Sequence, residues 1–282
     1  MRIVSLIENT SSTEKLRAEH GLSLYIEHNG EKILMDTGAG SAFMDNAKRM
    51  GIDLSEVKKV VISHNHNDHT GGLEAFLKRR HDAVVYAKKA ALDDFYFKAG
   101  LITVSISQIK QIYKHYPDNF VFYNKFTQIT KGFYMVSNEV MDKSMYCQAK
   151  QLCMKRDGKL VRDEFEHEAF AVVFPNDDER KGCVVISSCS HCGIVNILNT
   201  VRSLWKGVPI LAVIGGFHFM GSSVKNLCCT SDFIQKTAQD IAKMDIGSIY
   251  TCHCTGLKGY ELLKGSLKDQ IQYFQTGEEL LF

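Results

Sequence analysis

The sequence lacks most of the signals that divide a chain into domains or send it into a membrane. Only three prolines occur in 282 residues, and no low-complexity tract, charge block or Gly/Ser linker interrupts the chain. This predicts a single domain that spans residues 1–282. No stretch approaches ~20 uncharged apolar residues, which argues against a transmembrane helix.

Strong net charge is also absent, since 34 Lys and Arg face 32 Asp and Glu. Without a one-signed field we expect neither nucleic acid nor a membrane as partner, but a small-molecule substrate, and leave a homodimer open. The first eight residues have no signal-peptide pattern. Nine cysteines, an odd number, fit a reducing compartment, so we expect a cytoplasmic protein.

Short apolar runs alternate with helical patterns along the chain. The runs that predict strands are Leu22–His28, Lys32–Asp36, Lys59–Ser63, Ala83–Ala87, Phe170–Phe174, Cys183–Ser188, Pro209–Ile214 and Ser248–Thr251. Apolar residues at helical spacing follow Gly193 and Ser231, with Ser231 as the expected N-cap of the second helix. Interleaved strands and helices predict an α/β architecture.

Residues 88–150 differ from their surroundings because they are rich in phenylalanine and tyrosine. One interpretation is ordinary core and strand packing, since aromatic side chains contribute much to burial. The alternative is an insertion that forms a substrate wall or a dimer contact. The sequence leaves both open.

The segment His64-Asn65-His66-Asn67-Asp68-His69 carries the strongest chemical signal in the chain. It follows an apolar strand and precedes Gly71-Gly72, which places four ligand-type side chains on a strand-to-helix loop. For this composition, a chance His-x-His-x-Asp-His pattern is on the order of one in a thousand. The spacing lets His64 and His66 face one metal ion while Asp68 and His69 face a second.

Imidazole and carboxylate donors suit zinc, with manganese, iron or magnesium as alternatives. No cysteine lies within the cluster, which argues against a purely structural thiolate site. Three later histidines, His191, His218 and His253, each follow a predicted strand. Ligands collect at the carboxyl ends of strands in open α/β sheets, so these histidines are candidates for the remaining positions.

These motifs together resemble the metallo-β-lactamase superfamily. The resemblance rests on His64 to Gly72, on Asp36 in Met35-Asp36-Thr37-Gly38, and on the sequences around His191 and His253. It implies a four-layer αββα sandwich with a dinuclear site on one edge. Carried over by position, His64, His66 and His191 bind one ion, Asp68, His69 and His253 bind the other, and Asp36 orients a ligand histidine.

One departure from the family pattern concerns a metal-bridging aspartate. Many members have it at the end of the strand that here reads Ile214-Gly215-Gly216-Phe217-His218, yet no Asp or Glu occurs between Pro209 and Ser231. We therefore take His218 as a candidate that binds metal or faces substrate. Cys189, Cys192, Cys252 and Cys254 flank ligand histidines, either as small buried residues or as thiolate ligands.

Several motifs narrow the resemblance to one branch of the superfamily, notably Cys189-Ser190-His191-Cys192-Gly193 and Gly215-Gly216-Phe217-His218. That branch includes the archaeal 7,8-dihydropterin-6-methyl-4-(β-D-ribofuranosyl)aminobenzene 5′-phosphate synthase and related metal-dependent hydrolases. It implies an enzyme, with Asp68 and His218 as catalytic candidates. Hydrolysis of a small phosphoester, lactone or related ester is the preferred reaction. The alternatives are transfer of a pterin diphosphate to an arylamine with loss of pyrophosphate, and a non-catalytic binding protein.

Overall fold

A computed structural model describes residues 1–139, 142–176 and 178–282. Their strands are β1 (Arg2–Ile7), β2 (Ser23–His28), β3 (Glu31–Met35), β4 (Lys59–Val61), β5 (Val84–Lys88), β6 (Phe95–Ala99), β7 (Ile102–Ser105), β8 (Phe120–Tyr123), β9 (Phe126–Thr130), β10 (Phe133–Val136), β11 (Leu152–Arg156), β12 (Lys159–Arg162), β13 (Phe170–Val173), β14 (Cys183–Ser187), β15 (Ile210–Gly215), β16 (Ile246–Thr251), β17 (Ile271–Tyr273) and β18 (Glu279–Leu281).

The helices of the described residues are α1 (Ala42–Arg49), α2 (Asn67–Thr70), α3 (Leu73–Leu77), α4 (Ile109–His115), α5 (Ile194–Leu204), α6 (Ser231–Ala242) and α7 (Gly256–Leu267). Short 3₁₀ turns connect several of these elements. None of these helices has both the length and the apolar character needed to cross a bilayer. The mixture of strands and helices confirms the predicted α/β class.

The chain divides into two compact units. The first comprises Met1–Lys125, Ala149–Ala169 and Gln275–Phe282, and its main sheet has the order β18-β1-β2-β3-β4-β5-β8. Strands β3, β4, β5 and β8 run parallel, so their carboxyl ends lie at one edge. A smaller antiparallel sheet in the same unit has the order β12-β11-β6-β7.

The second unit comprises Phe126–Gln148 and Phe170–Phe274. Its sheet has the order β17-β16-β15-β14-β13-β10-β9, and β14 to β17 run parallel. Strand β14 is buried along its whole length, which is typical of a parallel strand covered on both faces. Helix α5 packs its apolar side, including Ile197 and Val201, into the core of this unit.

The eight predicted strands are all present, with ends that differ by one or two residues. The predicted N-cap of α6 is wrong. Thr230 has the extended backbone of an N-cap, and its side chain accepts a hydrogen bond from the N–H of Phe233 at 3.2 Å. Ser231 is the first helical residue instead, because the chain turns into the helix one residue earlier than the apolar pattern indicates.

The expected insertion at 88–150 contains strands β6 to β10 and helix α4. Its residues belong to both units, and residues 140 and 141 lie outside the described part of the chain. Whether the segment is an insertion with its own role stays a prediction, as does the single domain 1–282.

Candidate metal centre

The His-rich loop begins where β4 ends, at the carboxyl edge of the first unit's parallel strands. His64 and His66 lie on the loop itself, whereas Asp68 and His69 lie on the single turn of α2. The carbonyl of His66 accepts hydrogen bonds from the N–H groups of His69 and Thr70, both at 3.0 Å. This turn brings the side chains of His64 and His69, which are five residues apart in the chain, next to each other.

The three histidines of the loop are buried and close together. His64 and His69 are fully buried, and His66 is 5% exposed. The ring centroid of His64 lies 4.6 Å from that of His66 and 4.2 Å from that of His69. Buried imidazoles at such distances are typical of a metal site, because each ring needs a partner for its polar atoms.

Asp36 fixes the orientation of two of these rings. It follows β3, the strand next to β4, and its Oδ2 accepts a hydrogen bond from Nδ1 of His69 at 2.8 Å. The same oxygen accepts the hydroxyl proton of Ser63 at 2.6 Å. Since that hydroxyl proton is used, Nδ1–H of His64 donates to Ser63 Oγ, 2.8 Å away. In both His64 and His69 the nitrogen left for a metal is therefore Nε2.

Asp68 lies on the solvent side of the loop, with its side chain 20% exposed. Its Oδ2 lies 3.5 Å from Nε2 of His69 and 3.4 Å from Nε2 of His20. Burial lowers the pKa of His69, but the carboxylates of Asp68 and Asp36 together raise it to about 10. The two carboxylates therefore favour a positive charge at the His69 ring, which a metal ion on Nε2 would supply in place of a proton.

The second unit contains the other predicted histidines. His191, His218 and His253 follow the neighbouring parallel strands β14, β15 and β16. The rings of His191 and His218 have centroids 4.2 Å apart, and His253 is fully buried. His218 and His253 have φ values of 49° and 50°, a strained conformation for non-glycine residues that is frequent at functional sites.

Cysteines surround these histidines. Cys189, Cys192, Cys252 and Cys254 are all buried, as expected for small residues packed beneath a site. The N–H of His218 donates to Sγ of Cys254 at 3.3 Å. Because Cys189, His218 and Cys254 offer donor atoms close enough for one ion, thiolate ligation also fits the second unit.

The predicted residues thus form two sets. Asp36, His64, His66, Asp68 and His69 lie together in the first unit, and His191, His218 and His253 lie in the second. The donor set of the first unit fits divalent transition metals, because it combines oriented imidazoles with a carboxylate.

The sequence interpretation missed four residues beside these sets. Asp163 and His167 lie close to His66, His20 lies next to Asp68, and Sγ of Cys147 lies 3.6 Å from Nδ1 of His191. An Asp-x-x-x-His spacing just before a buried strand was the available signal for Asp163 and His167. Nothing in the local sequence marks His20 or Cys147.

The comparisons with known proteins agree with this geometry. Residues 16–134 match the model of the Metallo-beta-lactamase superfamily. The chain is 25% identical to the 7,8-dihydropterin-6-methyl-4-(β-D-ribofuranosyl)-aminobenzene-5′-phosphate synthase of Methanocaldococcus jannaschii, over 94% of this chain and 90% of the relative. It is 30% identical to the uncharacterized protein MJ0448 of the same organism, over 97% of each.

Among solved structures, Tm1679 is similar over nearly its full length. It is described as a metal-dependent hydrolase of the β-lactamase superfamily, with 28% identity and a TM-score of 0.82 over 100% of this chain and 99% of that chain. These similarities confirm the fold class and the resemblance found in the sequence.

Proposed function

Because the chain belongs to the metallo-β-lactamase superfamily, we propose that it is a hydrolase that uses two divalent metal ions, zinc foremost, on a small phosphoester, lactone or related ester. It is an enzyme of this fold, and the proposal concerns its reaction, its ions and its ligands.

One observation carries the proposal, namely the contact of Asp36 with Ser63 and His69. A fully buried carboxylate that accepts from Nδ1 of His69 and from the hydroxyl of Ser63 is the arrangement that orients metal-binding imidazoles. Asp36 thus engages Nδ1 of His69 directly and Nδ1 of His64 through Ser63, which makes Nε2 the metal-binding atom of both rings.

In the proposed site, His64, His66 and His191 bind one ion, and Asp68, His69 and His253 bind the other, as the family pattern implies. Bound divalent ions supply Lewis acidity and an activated water at neutral pH. Asp68, the most solvent-accessible of the first unit's donors, orients the nucleophile and accepts its proton. His218 faces the substrate and takes part in proton transfer to the leaving group.

Metal analysis of protein purified without chelator or metal-affinity resin tests the ions. A panel of phosphoesters, lactones and thioesters then tests the reaction. We expect about two equivalents of metal and turnover of one ester class. Asp68→Asn should lower kcat by at least ~100-fold, in the range of general acid–base contributions. Metal-loaded protein that turns over no ester of any class would contradict hydrolysis.

Transfer is the second candidate, and the similarity to the archaeal synthase over 94% of this chain favours it. In this reaction an arylamine attacks the methylene carbon of a pterin diphosphate, and the C–O bond to pyrophosphate breaks. Pyrophosphate release that requires an added arylamine would support transfer. Release without the amine, with water as the acceptor, would support hydrolysis.

A further inference from the structure

A second pair of a carboxylate and a histidine lies next to His66 in the first unit. Asp163 and His167 belong to the loop between β12 and β13 and are 2% and 1% exposed. Oδ2 of Asp163 lies 3.1 Å from Nε2 of His167 and 3.8 Å from Nε2 of His66. The proposed reaction uses neither residue, so their burial beside a candidate ligand needs a separate explanation.

The position of the proton on His167 follows from its neighbours. The backbone N–H of Asn65, inside the His-rich loop, donates to Nδ1 of His167 at 3.0 Å. Nδ1 must therefore be the unprotonated nitrogen, and Nε2–H donates to Asp163. Because Nδ1 accepts this bond, the His167 ring carries one proton only and is neutral.

Both oxygens of Asp163 are held in place. The N–H of Phe165 donates to Oδ1 at 2.7 Å, while His167 donates to Oδ2. Phe165 has a φ of 57°, a conformation that a bulky residue adopts only where its surroundings enforce it. Burial raises the pKa of Asp163, but His167 and His66 together lower it well below its usual range. The carboxylate is thus charged and fixed.

Two roles are open to these three side chains. His66, Asp163 and His167 offer donor atoms close enough to hold an ion of their own. Binding through Nε2 of His167 would, however, move its proton to Nδ1, where it would face the N–H of Asn65. Two N–H donors would then face each other in a buried place, and one of them would be left without an acceptor, which is unfavourable. The geometry disfavours a separate ion.

The alternative role matches what Asp36 does for His69. We propose that Asp163, held by His167, is the positioning carboxylate of His66: it keeps a proton on Nε2 and leaves Nδ1 as the ligand atom. Oδ2 of Asp163 lies 3.8 Å from Nε2 of His66, so a fixed carboxylate faces this edge of the ring, and metal-binding histidines generally turn their other ring N–H toward such a group. His66 then differs from His64 and His69, whose Nε2 atoms are left for metal. This inference rests on the proposed metal site and deepens it.

Substitution of Asp163 tests the proposal, with metal affinity as the readout. Asp163→Asn keeps the shape and removes the charge, so zinc affinity, measured by competition with a chromophoric chelator, should fall about 10- to 100-fold. The number of bound ions should stay that of the wild type. Unchanged affinity would overturn the proposal, and so would the loss of one equivalent, which would indicate an ion held by Asp163 itself.

Glu166→Gln is the matched control in the same loop. The side chain of Glu166 is 56% exposed and lies 3.7 Å from Arg156, so its neutralisation should change zinc affinity less than twofold. An equal loss of affinity in Glu166→Gln and Asp163→Asn would mean that loop charge, rather than the contact with His66, matters, and would overturn the proposal.

A measurement on the wild-type protein does not depend on whether a variant folds. In zinc-loaded protein labelled with ¹⁵N-histidine, the imidazole shifts should show His66 protonated at Nε2 and His167 unprotonated at Nδ1. A metal-bound Nε2 on His66 would overturn the proposal. Wild-type protein that binds no zinc would contradict the proposed function and this inference together, whereas zinc binding with an unaffected Asp163→Asn variant contradicts the inference alone.

Discussion

At the scale of single residues, Asp36 combines an unusual backbone with a central set of contacts. Its φ of 59° turns the chain directly after β3, and Asp and Asn are among the few non-glycine residues that tolerate this region. The turn points the carboxylate at Ser63, whose N–H donates to Oδ1 at 2.8 Å, and at His69. One side chain thereby links the ends of two neighbouring strands to the His-rich loop.

Asp36→Asn should weaken metal binding while the fold persists. Asparagine suits the same φ, so the change removes mainly the charge that orients His69 and, through Ser63, His64. We expect zinc affinity to fall about 10- to 100-fold, measured by chelator competition, with an unchanged circular dichroism spectrum. Asp53→Asn is the control, because Asp53 is exposed and caps a short turn through Ser55, a role asparagine fills equally well. Equal affinity of both variants would refute this role for Asp36.

At the scale of elements, what the sequence predicts depends on whether the signal is local. Period-two and apolar patterns predict β4 and β14 to β16. The histidines that come after these strands in the sequence can therefore be placed at the strand ends from the sequence alone. Asp163 and His167 escape prediction because their role depends on a loop that reaches the His-rich loop through tertiary contacts, among them the bond from Ala169 N–H to Ser63 O at 2.7 Å.

The glycines after the His-rich loop let it pack against the turn that follows β3. A Cβ on Gly72 would lie 2.3 Å from the carbonyl oxygen of Thr37 and 2.4 Å from that of Gly40. Both are backbone atoms, which cannot move away without shifting the turn that begins at Asp36. The Gly71-Gly72 pair therefore has a steric reason, which the sequence alone, where glycine marks only a turn, does not reveal.

Gly72→Ala should accordingly destabilise the protein by about 1–3 kcal/mol, the usual cost of overpacking. The free energy of unfolding in urea measures the effect. Gly40→Ala is the matched control, since a Cβ there meets nothing within 4 Å and its effect should stay within about 0.5 kcal/mol. Equal stability of the two variants would show that the loop and the turn are not packed as described.

At the scale of the whole molecule, the chain crosses between its two units several times. The first unit is made from three separate segments, and its last one, Gln275–Phe282, returns to the N-terminal strand. Strand β18 pairs with β1, and the N-terminal amine donates to the carbonyl oxygen of Phe282 at 2.7 Å. The sequence composition cannot reveal this division into two units, because no linker marks the points where the chain passes from one unit to the other.

The expectations for location and partners stay predictions. A cytoplasmic location, a small-molecule substrate without nucleic acid or membrane, and a homodimer each need their own measurement. Light scattering on the purified chain gives its mass in solution and decides the last of these. A dimer also changes how thermal stability depends on protein concentration, so the mass should be known before melting is compared between variants.

Zinc should raise the melting temperature of the whole protein, because a ligand that binds only the folded state stabilises it. At a free concentration one hundred times Kd the gain is about 2.7 kcal/mol, which corresponds to a shift of roughly 5–10 °C for a chain of this size. Differential scanning calorimetry with zinc and with chelator measures it. The shift should shrink strongly in His64→Ala and persist in His81→Ala, since His81 is exposed and lies away from the His-rich loop. A shift that is equal in both variants would place the zinc elsewhere.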